Sequence, residues 1–136
     1  LKRLAAATMR NCRPLLQSGD FRRRLSRVEI DLLALEYTNL RVLSAPEAAS
    51  AGTQSSILKI RGSQIRQNLS ELLVEARGAA ALRFAGRGPG GEMMALPLEE
   101  EEPGLTAAYL NLRKLSIFGG SNEIQKNIIA QSLVGM

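Results

Sequence analysis

An antiparallel up-and-down four-helix bundle, all α, is the fold this sequence predicts. Three observations predict it. Apolar residues recur at steps of three and four over long stretches, the period of a helix with a buried side. Apolar residues are 45% of the chain but aromatics only 4%, and Leu, Ala and Arg are the commonest residues, a composition that leans helical. Glycine and proline gather between the periodic stretches, where they act as breakers. The 136 residues suit one domain with a real core.

The first stretch, up to about residue 17, reads as helix, with Leu4, Ala5, Met9 and Leu16 apolar among basic residues. Pro14 interrupts it. Ser18-Gly19-Asp20 stops one helix and starts another, with Asp20 able to accept the free N–H groups of the next. That helix is the clearest of all. Phe21, Leu25, Val28, Leu32, Leu35 and Val42 mark one face, with Asn39 filling the remaining place. Ile30, Leu33, Tyr37 and Leu40 mark another, so two sides are expected to meet neighbours, as inside a bundle. The helix should close at Ser44-Ala45-Pro46. Thr53 or Ser55 should cap a third helix, which carries Ile57, Ile60, Gln64, Leu69, Leu72, Leu73 and Ala76 and ends near Arg77-Gly78. Residues 84–104 hold glycines, prolines and the acidic run Glu99–Glu102, which reads as an irregular connection. The stripe Leu105, Ala108, Leu112 and Leu115 returns to helix, and a last helix places Ile124, Ile128, Ile129 and Leu133 on its apolar side.

Composition excludes several chemistries. There is no histidine, so no Ser-His-Asp triad and no Cys-His pair can form. One cysteine, Cys12, gives no internal disulfide and no cysteine metal site, and no metal site of any kind is expected. No run approaches the roughly 18 apolar residues of a membrane span, and a soluble, cytoplasmic setting is the expectation. The net charge is +5. Arg10, Arg13, Arg22, Arg23, Arg24 and Arg27 cluster, which suits nucleic acid phosphates on one reading and a solvated, internally paired helix face on the other. No aromatic residues interleave with them as stacking platforms would require, so the second reading is preferred and no nucleic acid partner is expected.

The densest local signal is LSIFGGSNEIQKNIIA, Leu115–Ala130. A glycine pair at a helix entrance is, in the plain reading, a turn. It also lets backbone approach a flat or bulky group and take positive φ. A helix starting at Ser121 leaves its first N–H groups free, which suits a phosphate or a carbonyl oxygen. Ser121 and Asn122 add side-chain donors and acceptors. Glu123 falls in the first turn, where a carboxylate is stabilised in its charged form and made a weaker base. Glu29, Asp31 and Glu36 on the second helix are better read as partners of arginines three or four residues away than as catalytic groups.

The run Ile117–Ala130 resembles the C-terminal signature of the acyl-CoA dehydrogenase family, a pattern of the type I-Y-[EG]-G-[TS]-[SN]-E-I-Q-[RK]-x-x-I-A. SSILKIRGSQIRQNLSELLVEA, with Lys59, is similar to that family's third bundle helix, and FRRRLSRVEIDLLALEYTNLRVLSA to the helix before it. The resemblance implies that residues 1–136 are a single C-terminal bundle domain from a longer FAD-dependent enzyme. It implies α,β-dehydrogenation of an acyl-CoA substrate, an electron-transfer acceptor, and a homodimer or homotetramer built around such bundles. By resemblance Gly120, Ser121, Asn122 and Glu123 are the flavin-side residues, and Gly119 lies beside the substrate thioester. The isolated fragment is expected to be inactive.

The sequence departs from the family pattern in two places. Gly119 stands where many relatives carry the catalytic glutamate, so this chain offers no catalytic residue of its own. The base would come from an earlier helix, or the chain would belong to a non-catalytic partner subunit in a hetero-oligomer. The second departure is Val74-Glu75-Ala76-Arg77-Gly78-Ala79, where relatives often carry Gln followed by Gly-Gly against a neighbouring subunit's flavin. A plain oligomerisation module and a basic helical nucleic-acid binder are the alternative functions.

Overall fold

The computed structural model describes residues 1–44, 51–82 and 105–135. The connection expected at 84–104 lies outside the described residues. A short α1 (Lys2–Ala7) leads into a two-strand hairpin, β1 (Met9–Arg10) and β2 (Arg13–Pro14), and a 3-10 turn at Leu15–Gln17. Four helices then carry the architecture: α2 (Gly19–Ser44), α3 (Ala51–Arg77), α4 (Leu105–Leu112) and α5 (Asn122–Val134). Short 3-10 segments extend α3 through Gly78–Leu82 and α4 through Arg113–Ser116. None of the described helices is long and apolar enough to cross a membrane.

The N-terminal stretch is not one helix. Pro14 lacks an N–H and disfavours helical backbone at Arg13. The chain therefore turns at Asn11 and Cys12, both with positive φ (52° and 60°), the pattern of a tight two-residue hairpin. Thr8 donates its hydroxyl to Ala76 O at 3.0 Å, so the hairpin's first strand starts against the end of α3. The capping expectations also shift. α2 starts at Gly19, and Ser18 O accepts from Arg22 N at 2.9 Å. Asp20 sits in the first turn, bonded to Arg23 at 2.9 Å rather than capping. α3 starts at Ala51, ahead of both Thr53 and Ser55.

α3 is the spine, packed against α2, α4 and α5. Arg24 faces Glu71 and Glu75, while Leu58 shares a groove with Leu35 and Asn39, so α2 and α3 run antiparallel. Gly62 lies at this contact, where a Cβ would stand at an ordinary van der Waals distance, 3.9 Å, from Leu35 Cδ2. Phe21, Leu25 and Val28 from α2 join Ile65, Leu72 and Ala76 from α3, closed by Ala5 and Leu15. Each large side chain so buried contributes about 1.5–3 kcal/mol.

The outer rows behave differently. Ile30 is 63% exposed and Tyr37 67%, and Leu33 and Leu40 are open as well. On α5, Ile124, Ile128 and Leu133 are also exposed. The second apolar face of α2 is therefore uncovered within this chain, not sandwiched by its own helices. The arginines are largely paired. Arg24 meets Glu71 at 2.9 Å and Glu75 at 2.5 Å, Arg10 meets Glu75 at 3.4 Å, and Arg27 meets Asp31 at 4.0 Å. Glu29 pairs across to Lys2 instead of to a neighbour on its own helix. Such exposed pairs contribute little each, about 0–1 kcal/mol.

Phe21→Ala should cost about 3–5 kcal/mol in a denaturant titration, since the ring is fully buried. Ile30→Ala in the monomeric state should stay within about 0.5 kcal/mol.

Candidate functional site

The turn that joins α4 to α5 is built from both ends. At its near end the last carbonyls of α4 lack helical partners. Gln67 Nε2 on α3 supplies donors to Leu112 O at 3.3 Å and Arg113 O at 3.0 Å. Arg113 returns the contact through Nη2, donating to Gln67 O at 2.8 Å and Ser70 Oγ at 3.2 Å. Its guanidinium lies 4.5 Å from the Tyr109 ring centroid, a cation–π stack. Ile117 N and Phe118 N then close onto Lys114 O at 2.9 and 3.0 Å.

Gly119 and Gly120 follow with φ of 69° and 84°, the left-handed region. At Gly119 nothing lies within 4 Å of where a Cβ would be, so the turn is open on that side. At Gly120 a Cβ would meet Gln125 Nε2 at 2.6 Å. Phe118 stands beside the pair with its ring 54% exposed. Ser121 is the N-cap, its Oγ accepting from Ile124 N at 3.3 Å, while its carbonyl accepts from Gln125 N at 3.0 Å. The helix begins at Asn122, one residue beyond the position read from sequence.

Asn122 is the buried member of the set, 9% exposed. Its Oδ1 accepts from Lys59 Nζ at 2.8 Å and lies 3.3 Å from Ser63 Oγ, which is also 3.3 Å from Nδ2. Ser63 in addition donates to Ile60 O at 2.7 Å. Asn122 therefore anchors the start of α5 to α3. Glu123 points to solvent with its pKa below the usual carboxylate value. The causes are a bond from its own backbone N–H, then the Ser121 hydroxyl, then an opposing effect of desolvation, and last the charges of Lys126 and Lys59.

The five residues singled out from sequence thus lie together, in three roles. Gly119 and Gly120 shape the turn, Ser121 caps the helix with Glu123 in its first turn, and Asn122 locks it to α3. Lys59, Ser63, Gln67 and Arg113 are parts of the site that local sequence reasoning did not assign. At the second departure, Glu75 is held by Arg24 and Arg10. That stretch forms an ion-pair cluster in this chain.

Gly120→Ala should destabilise by about 1–2 kcal/mol from φ alone, with a further loss from the Gln125 clash. Gly119→Ala should show the φ cost only, and Gln125→Ala should restore part of the Gly120→Ala loss in thermal melts. By NMR, Glu123 should titrate below the ordinary glutamate value. Because its folded pKa is depressed, its contribution to α5 is present above the unfolded value and is lost as pH falls through the folded one. Ser121→Ala should move that midpoint upward; an unchanged midpoint would contradict the hydroxyl's part in it.

Comparisons with known proteins bear on the family and the fold. The family model described as acyl-CoA dehydrogenase, C-terminal domain, matches residues 1–134. Acyl-CoA dehydrogenase IpdE1 of Mycobacterium tuberculosis is 32% identical over 115 residues, which are 85% of this chain and 26% of that protein. A solved structure from Mycobacterium abscessus, assigned as an acyl-CoA dehydrogenase, superposes with a TM-score of 0.74 at 18% identity, covering 98% of this chain and 30% of that one. A chain of the ChsE4-ChsE5 complex from Mycobacterium tuberculosis superposes with a TM-score of 0.71 at 22% identity, covering 99% and 33%. The chain spans about a quarter to a third of the length of these proteins. At these identities the two structures bear on the fold, and the family model and IpdE1 bear on ancestry. The chain belongs to the acyl-CoA dehydrogenase family, as its C-terminal domain.

Proposed function

We propose that residues 1–136 form the C-terminal bundle domain of an FAD-dependent enzyme acting on an acyl-CoA thioester. In this reading Gly120, Ser121, Asn122 and Glu123 lie on the flavin side and Gly119 lies beside the thioester. The observation that carries it is the left-handed glycine turn, open at Gly119, set against a hydroxyl-capped helix start that Asn122 ties to α3. The residues present fit one wall of such a site. The turn leaves space for a flat ring, and the exposed Phe118 adds an apolar edge. Bound FAD supplies hydride acceptance from Cβ of the acyl group. The chain's own part is to shape, orient and exclude water. Gly119 has no side chain with which to remove the Cα proton, and Glu123 is tied to its helix start with a lowered pKa. The base therefore comes from another segment of the full protein, or from a different subunit.

The uncovered rows Ile30, Leu33, Tyr37 and Leu40 on α2 support burial against further subunits. A homodimer or homotetramer covers them with copies of the same protein. A mixed oligomer is the second reading, favoured by Gly119 and in line with a fold shared with a chain of the ChsE4-ChsE5 complex.

The test uses the native protein containing this domain, reconstituted with FAD and offered acyl-CoA thioesters. Substrate-dependent dye reduction is expected from the native protein, or from it only with its partner subunit. None is expected from residues 1–136 alone, which should form concentration-dependent dimers or larger species by light scattering. Dye reduction by the isolated domain, or a strictly monomeric native protein, would overturn this reading.

A further inference from the structure

The start of α5 carries a cation whose placement calls for an explanation. A positive charge is disfavoured near the positive end of a helix dipole, yet the half-buried Lys59 reaches across from α3 to the first residue of α5. What it does there follows from its chemistry. An ammonium group donates and cannot accept. The Asn122 atom facing it at 2.8 Å must therefore be the carbonyl Oδ1. Ser63 gives its one hydroxyl proton to Ile60 O at 2.7 Å, so toward Asn122 its Oγ accepts from Nδ2 at 3.3 Å and supports the same orientation. Lys59, charged and at 2.8 Å, is the stronger of the two groups that orient the amide.

The consequence reaches the turn. Asn122 is directly followed by Glu123 and directly preceded by the cap, Ser121. With its amide flipped, Nδ2 would face the ammonium, donor against donor, and the buried side chain would lose its strongest bond. With that bond lost, Asn122 is held to α3 by its contact with Ser63, and Gly119, Gly120 and Ser121 lose a tether with it.

We propose that Lys59 is a positioning residue for the flavin-side turn: by dictating the orientation of the Asn122 amide, it sets the place and direction of Gly120–Glu123 relative to the cofactor. The assignment rests on the functional reading above. Glu123 also benefits from the Lys59 charge, as the smallest of the effects that lower its pKa.

A double-mutant cycle in the native flavoprotein tests this. FAD affinity is measured by titrating the apoprotein, together with the visible flavin spectrum and the apoprotein melting temperature. Lys59→Met should weaken FAD binding about tenfold, the size of one charge-assisted hydrogen bond, and shift the flavin bands. Lys59→Arg, still a pure donor, should restore most of the affinity. Lys59→Gln, whose amide can present either atom, should behave like Lys59→Met and serves in its place if that variant does not fold. In an Asn122→Ala background, Lys59→Met should change FAD affinity less than about twofold. Equal losses in both backgrounds would overturn the assignment, as would a melting-temperature change with unaltered affinity and spectrum. If the wild-type protein binds FAD and the Lys59 variants bind it equally well, this assignment alone fails. A wild type that binds no FAD removes the functional reading and the assignment together.

Discussion

Asn122 is a polar side chain buried at the start of a helix, and a buried amide must find partners or cost free energy. It finds them on α3, in Lys59 and Ser63. That bridge fixes where α5 begins. The glycine turn ahead of it is then held at both ends, by Asn122 on one side and by the Gln67–Arg113 exchange on the other. Both anchors are residues of α3, one to two turns apart on the helix. The turn is thus mounted on the same helix that α2 packs against, and core packing is transmitted to the site through one rigid element.

The charge pattern follows the same economy. Glu71 and Glu75, also on α3, gather Arg24 and Arg10 from the first third of the chain. Thr8 adds a hydroxyl to the carbonyl of Ala76. Two of the clustered arginines, Arg10 and Arg24, are thereby drawn onto the end of α3, while Arg23 and Arg27 pair locally on α2. The apolar faces are not exhausted in this way. α2 turns Phe21, Leu25 and Val28 inward but leaves Ile30, Leu33 and Tyr37 open, a stripe too apolar for a surface meant to face water alone.

Much of this was legible in the sequence because the signals were local. The helical period of α2 and α3, the Ser121 cap and the breaker at Gly78 each depend on residues within a few positions of one another. The Ile117–Ala130 run was legible as a family pattern. What could not be read were the long-range pairs. Lys59 and Asn122 are 63 positions apart, Gln67 and Arg113 46, and nothing in either neighbourhood names the other. The hairpin at Met9–Pro14 was missed because two-residue strands carry no alternation, and Leu4, Ala5 and Met9 mimic a helical face. The exposure of the second α2 face was misjudged for a related reason: periodicity reveals that a face is apolar, not which molecule covers it.

The central claim is that Gly119–Gln125 forms a preset wall against the flavin. Amide hydrogen exchange of the native protein, with and without FAD, tests it most directly. The account predicts slowed exchange across Gly119–Gln125 on FAD binding, with the α2 core around Phe21–Val28 unchanged. Stoichiometric FAD binding with no change in exchange at Gly119–Gln125 would contradict it.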